Sequence, residues 1–247
     1  MSFDIKSCQM QSDIQEALAC KNFQFVFQPV YCRNGKIEKY ESLVRLRIRD
    51  ELYLTPGDFF DTAEKNNHFS DILLFALHNA ISFLKENPLE KVAINMSYKD
   101  IEDRETCLDF LRILSLEDEQ TTERLIVEFI ESYDIENIKN VVSFCKELKA
   151  RQVKISIDDF GIKNSNFYIL SILNIDYLKL DGHFIKNIEN EKTYFIVETI
   201  ITLCKKLKIK IIAEHIENEN DYSILSALGV DFFQGFYFGK LQVHQTT

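Results

Sequence analysis

Residues 154–181 read KISIDDFGIKNSNFYILSILNIDYLKLD. The run opens as a near-continuous apolar strand that stops on two acids, Asp158 and Asp159. Phe167, Leu170, Ile172 and Leu173 then place a helix, and YLKLD closes it as a second apolar strand carrying Lys179 and Asp181. Outward in both directions the unit repeats: VAINMS carries Asn95, LIVEFIE Glu128, IIAEH Glu214 and DFFQG Gln234. Near-continuous apolar strands alternating with amphipathic helices imply a mostly parallel sheet covered on its outer side. One acid at a strand end can cap the next helix. A succession of acids, amides and a lysine at successive strand ends points instead to one shared rim.

The chain has 247 residues, a length that suits a (β/α)8 barrel of roughly 250 residues. An open doubly wound sheet is the rival, disfavoured because no GxGxxG turn follows a strand. Near the start, FQFVFQPVY (23–31) and residues 37–48 read as two strands around Asn34-Gly35, a strong hairpin signal. The expected fold is therefore a modified TIM-like (β/α)8 barrel with one antiparallel strand near the N-terminus. A helix is expected from Ser70 to about Glu86. Two helical stripes, Ile135, Ile138, Val141, Val142, Cys145, Leu148 and Phe195, Ile196, Ile200, Leu203, Leu207, are expected to pack on the sheet.

Hydrophobic residues make up 46% and charged residues 28%, so a sizeable core is available. With seven Gly, three Pro and no composition break, residues 1–247 read as one domain, with 1–20 as a helical lead-in. A net charge of -10 argues against binding a DNA or RNA polymer through its phosphates. No apolar run approaches about 18 residues, so no membrane span or secretory signal is expected. The six scattered cysteines (Cys8, Cys20, Cys32, Cys107, Cys145, Cys204) lack zinc-site spacing and read as reduced thiols of a soluble, cytoplasmic protein.

Glu128, Asp158, Asp159 and Glu214, joined by Glu41, would repel one another on a shared rim unless cations sat among them. Carboxylates with one amide, Asn95, form an all-oxygen ligand set suited to Mg²⁺ or Mn²⁺ rather than Zn²⁺. None of the histidines has metal-site spacing: His78 falls on a helix, and His183 and His215 flank rim residues. Where a strand ends and the chain turns, Asp158 and Asp159 can both face one cavity and serve two ions about 3.5–4 Å apart, an arrangement that suggests phosphodiester hydrolysis.

In order, FQPV, ESLVR, NMS, EFIES, DDFG, YLKLD, AEHIE and QGFYF run from about Phe25 to Gly239. This series resembles the EAL domain family, whose members hydrolyse cyclic di-GMP to the linear dinucleotide pGpG. ESLVR stands where the family usually reads EALLR, and AEHIE where it reads AEGVE. The resemblance implies that Glu41, Asn95, Glu128 and Asp158 hold the metals and that Asp159 completes the second ion's shell. It implies that Lys179 and Glu214 surround the hydrolytic water, one of them as general base, with Gln234 in support. Gln28, Arg45, Asp181 and Glu217 match positions near the substrate. Glu131 matches a residue that restrains the loop after DDFG, and the helix following that loop implies a homodimer, with Phe167, Leu170, Ile172 and Leu173 as its apolar surface.

That loop departs from the family. Ile162, Lys163 and Asn164 stand where Thr, Gly and an aromatic residue are usual, which removes a hydroxyl and cheap access to positive φ. Two function classes stay open on this point: an active cyclic di-GMP phosphodiesterase, and a catalytically weak or inactive cyclic di-GMP receptor or protein-interaction module.

Overall fold

The structure, a computed structural model, describes residues 2–49, 52–130, 138–161 and 167–239. After a helix Ser2–Ala19, its strands are β1 (Phe23–Cys32), β2 (Ile37–Arg49), β3 (Leu52–Leu54), β4 (Val92–Met96), β5 (Leu125–Ile130), β6 (Lys154–Phe160), β7 (Tyr177–Leu180), β8 (Lys210–Ala213) and β9 (Phe232–Phe233). From β2 the strands run parallel through β4, β5, β6, β7, β8 and β9, and β1 closes the ring antiparallel to both β9 and β2. The result is a closed eight-stranded TIM-like (β/α)8 barrel with one antiparallel strand; β3 only extends β2 at its far end. Because β1 pairs with both ends of the series, an open doubly wound sheet is excluded. At the hairpin Gly35 takes φ 77, and the Asn34 side chain accepts a hydrogen bond from the Lys36 N–H at 3.1 Å.

Helix Phe69–Glu86 begins within one residue of its expected start and buries Leu73, Leu77, Ala80 and Leu84 along one face. Helix Ile138–Ala150 buries Val141, Phe144, Cys145 and Leu148; Ile135 lies outside the described residues. Helix Glu191–Leu207 corrects the expected stripe. Its inward residues are Val197, Ile200, Ile201 and Cys204, whereas Phe195, Ile196 and Leu207 are exposed. Apolar residues occupy more than one face there, so the helical period alone fits two stripes, and the sheet takes the one rotated by a residue. Burying each large aliphatic side chain contributes about 1.5–3 kcal/mol. The described cysteines Cys20, Cys32, Cys107, Cys145 and Cys204 are free thiols. Among the described residues no helix is long and apolar enough to cross a membrane.

Strand alternation stacks the barrel interior in layers. Ala93, Ile126, Tyr177, Ile212 and Phe232 form an apolar floor with Val30. Two positions further along the same strands, and so on the same face, come Asn95, Glu128, Lys179, Glu214 and Gln234. The polar rim thus rests on an apolar plug at the C-terminal end of the strands, where barrels of this kind carry their sites.

Candidate metal and phosphodiester site

Lys179 is the hub of the rim. Its side chain is almost completely buried, and Nζ lies 2.8 Å from Glu214 Oε1, 3.0 Å from Glu128 Oε2, 3.1 Å from Asp158 Oδ1 and 3.3 Å from Glu41 Oε2. Glu128, with no exposure, also accepts from the equally buried Lys39 through Oε1. Asn95 Nδ2 donates to Glu41 Oε1 at 3.0 Å, and Gln234 Nε2 donates to Glu41 Oε2 at 2.7 Å. These two donations orient the amides and leave their carbonyl oxygens as acceptors.

The two acids of KISIDDF converge by a specific device. The β6–β7 register shifts between Ile157 and Phe160, and Asp159 takes φ 55, in the left-handed region. A regular strand would send Asp158 and Asp159 to opposite faces. The bulge defeats that alternation, and both line the same cavities. Next in the chain, Gly161 sits at φ 115, and a Cβ there would lie 2.0 Å from the Phe184 ring. Gly161→Ala is therefore expected to cost more than about 1 kcal/mol and to misplace Asp159; an unchanged melting temperature and activity in that variant would refute this account of the turn. On the far side, Gly235 at φ 155 lets the chain pass so close to the Ile216 backbone that a Cβ would lie 2.2 Å from its carbonyl oxygen. That approach seats Gln234.

Charge sets the protonation pattern. Burial alone would raise the Glu41 carboxyl, but Lys179, the Gln234 and Asn95 amides and Lys39 outweigh it and hold the group at about 2. Asp158 is pushed up to about 6, by burial first and then by the charges of Glu128, Glu41 and Asp159, against the pull of Lys179. Burial raises Glu214 well above the usual carboxylate range. Burial disfavours the Lys179 ammonium, yet its four acidic neighbours overcome this and hold it firmly protonated.

Three buried carboxylates, Glu41, Glu128 and Glu214, and the partly buried Asp158 thus face two ammoniums, Lys179 and Lys39. Ligand atoms of Glu41, Glu128 and Asp158, and those of Asp158, Asp159 and Glu214, lie within 4.8 Å of one another in each set. The Gln234 Oε1 atom is buried without a protein partner. An acid excess, two overlapping oxygen clusters and an orphaned acceptor fit divalent cations; the identity of the ion does not follow from the donor set alone.

Two cavities open from this rim. One, of about 370 Å³, is lined by Gln28, Leu43, Arg45, His215 and Phe236 together with the acids. The other, of about 420 Å³, is mainly apolar, with Phe25, Phe60, Phe69 and Ile72 among its walls. Gln28 and Arg45 are thus brought to the site, as is His215, at φ 53. Asp181 and Glu217 line neither cavity: the Asp181 carboxylate accepts from the His183 N–H at 2.6 Å and caps the helix Gly182–Lys186. Glu131 and residues 162–166 lie outside the described residues. In the helix Phe167–Ile172 the expected apolar surface is corrected in part. Phe167 is exposed together with Tyr168, but Leu170, and Leu173 just beyond the helix, are buried in the core, because the inner face of this short helix must cover the sheet. Lys39 joins the site without any motif to mark it; the one signal in the sequence is that it precedes Glu41 by two positions in β2 and so shares its face.

A barrel of this topology with a carboxylate ring on its C-terminal rim defines the class, and the chain belongs to the EAL domain family, whose family model matches residues 11–241. The cyclic di-GMP phosphodiesterase PdeF of Escherichia coli K12 is 29% identical over 94% of this chain, which spans about a third (32%) of that relative's length. An EAL domain protein from Listeria monocytogenes EGD-e superposes with a TM-score of 0.87 at 26% identity, covering 94% of this chain and 93% of the other. The PaMucR phosphodiesterase, solved in complex with c-di-GMP, superposes at 0.82 with 29% identity, over 95% and 97% of the two chains.

Proposed function

We propose that this chain is a metal-dependent phosphodiesterase that hydrolyses cyclic di-GMP to linear pGpG, acting as one domain over residues 1–247 in the bacterial cytoplasm. The observation that carries the reading is the cluster of Glu41, Glu128, Asp158 and Glu214 around Lys179, which opens directly into a cavity walled by Gln28 and Arg45. PdeF, by its name, and the PaMucR complex, by its bound ligand, support the choice of substrate.

Glu41, Asn95, Glu128, Asp158 and Asp159 would hold two Mg²⁺ or Mn²⁺ ions. Such ions, when bound, neutralise charge on a phosphodiester and activate water near neutral pH. Arg45 presents a guanidinium suited to a phosphate oxygen, and Gln28 a side-chain amide. Lys179, held charged by its four acids, acts as a hydrogen-bond donor and counter-charge rather than as a base. Glu214 holds a proton more tightly than an ordinary carboxylate, so it is suited to exchanging one with the attacking water or the leaving oxygen. Asp181 and Glu217 would reach the substrate only at the edge of this site.

Incubating the purified chain with cyclic di-GMP and Mn²⁺ or Mg²⁺ tests the reading directly: pGpG is the expected product, and its absence with both ions would defeat it. Loop 162–166 supplies the test of the receptor alternative. In a chain that binds cyclic di-GMP but turns it over slowly, restoring Thr, Gly and an aromatic residue at 162–164 should raise the rate about 10–100-fold, the scale of outer support at metal sites, while affinity stays constant. A homodimer is also proposed, now resting on the exposed Phe167 and Tyr168; a monomer by light scattering at high concentration would count against it.

A further inference from the structure

A second lysine, Lys39, is buried beneath the metal ligands proposed above. Lys39 has no exposed surface, lies one layer below the rim on the face it shares with Glu41, and is the charged member of a layer otherwise built from apolar residues and Ser156. Its ammonium meets Glu128 Oε1, and beneath it the Tyr177 ring lies 4.9 Å away, so the charge is clasped between a carboxylate and an aromatic face. Oε2 of the same carboxylate faces the other way, toward the Lys179 ammonium that Glu41 and Asp158 also reach. The two oxygens of Glu128 are thus assigned to different neighbourhoods: Oε2 to the shared acid cluster, Oε1 to Lys39.

We propose that Lys39 is a positioning residue that restricts Glu128 to one-oxygen ligation and so biases the site toward small six-coordinate ions and against Ca²⁺. The inference rests on the proposed metal site at Glu41, Glu128 and Asp158. Ca²⁺ takes six to eight oxygens in a flexible shell and commonly uses both oxygens of a carboxylate, whereas Mg²⁺ requires near-octahedral geometry. Oε2 also meets an ammonium, but Lys179 divides its donors among four acids, whereas Lys39 is set against Oε1 and the Tyr177 ring, so Oε1 is the oxygen less available to an ion. Removing the Lys39 ammonium adds net negative charge, which favours every divalent ion, and frees Oε1, which favours Ca²⁺ in particular. The ratio of the two affinities therefore separates the proposed role from simple charge balance.

The test is calorimetric titration of the full chain and of Lys39→Met with Mn²⁺ and with Ca²⁺. In the wild type, Ca²⁺ should bind at least about 10-fold more weakly than Mn²⁺. In Lys39→Met, Ca²⁺ affinity should rise by about 10–100-fold, the range over which groups behind a metal ligand act, and Mn²⁺ affinity by less, so that the gap narrows. Equal changes for both ions, or none, overturn the role of Lys39 while leaving the metal site standing. A wild type that binds neither ion overturns the metal site itself. Should Lys39→Met fail to fold, a wild-type crystal soaked with Mn²⁺ decides the matter: Glu128 should ligate through Oε2 with Lys39 still on Oε1, and ligation through both oxygens overturns the proposal.

Discussion

In the Asp158→Asn protein, Mn²⁺-dependent hydrolysis of cyclic di-GMP is expected to fall by more than about 100-fold, since even outer partners of a metal are worth about 10–100-fold. Its fold is expected to become more stable in EDTA. Asp158 has its carboxyl raised to about 6 by burial and by the neighbouring acids, so its charge opposes folding. The folded chain then binds that proton more tightly than the unfolded chain, and the stability it contributes is lost as pH climbs from about 4 to 6 and stays lost above. The melting temperature of the variant in EDTA should accordingly exceed that of the wild type by an amount that grows over this interval. Glu128→Gln should lose activity to the same degree, but with a stability cost of about 3–5 kcal/mol, because Glu128 is the carboxylate that pairs with buried Lys39. Near-normal turnover in either variant would remove these residues from the metal site.

Lys179→Met is expected to cost at least as much stability as Glu128→Gln. Four carboxylates share that ammonium, and its loss leaves them facing one another, with Lys39 on Glu128 and Arg45 at the cavity wall. The expected cost is about 3–5 kcal/mol, or a fall in melting temperature of about 6–20 °C at about 2–4 °C per kcal/mol for a chain of this size. Millimolar Mn²⁺ should recover most of the fall, since a divalent cation supplies the missing charge, whereas hydrolysis should stay low because the donor itself is gone. A melting temperature that drops in EDTA and does not respond to Mn²⁺ would mean that the acid cluster does not bind cations.

Much of the barrel is legible in the sequence because each of its strands is written twice, once as an apolar run and once by the polar residue that ends it. VAINM, LIVEFI and YLKL each place an apolar residue two positions before a site residue, and the period of a strand obliges both to face the same way. The apolar floor and polar rim follow from that constraint, as does the Asn34-Gly35 hairpin that turns β1 antiparallel. In helix Glu191–Leu207, by contrast, apolar residues lie on more than one face, and only contact with the sheet selected Val197, Ile200, Ile201 and Cys204 over Phe195, Ile196 and Leu207. The same holds for Leu170 and Leu173, whose burial depends on what lies beneath a short helix.

The sequence by itself determined the strands, the barrel and the identity of the acids, because these depend on alternation along the chain and on residue types that cannot be buried singly. Tertiary structure alone decided how the charges are shared. Lys179 and Glu41 are far apart in sequence, as are Lys39 and Glu128, and no local rule specifies which carboxylate oxygen meets which ammonium. The bulge at Asp159 likewise exists only where β6 pairs with β7, and through it two neighbouring acids face one cavity. Protonation followed from that geometry: Glu41 is held low and Asp158 raised although both are carboxylates beside Lys179, because Glu41 also receives two amide donors, whereas Asp158 lies among other acids.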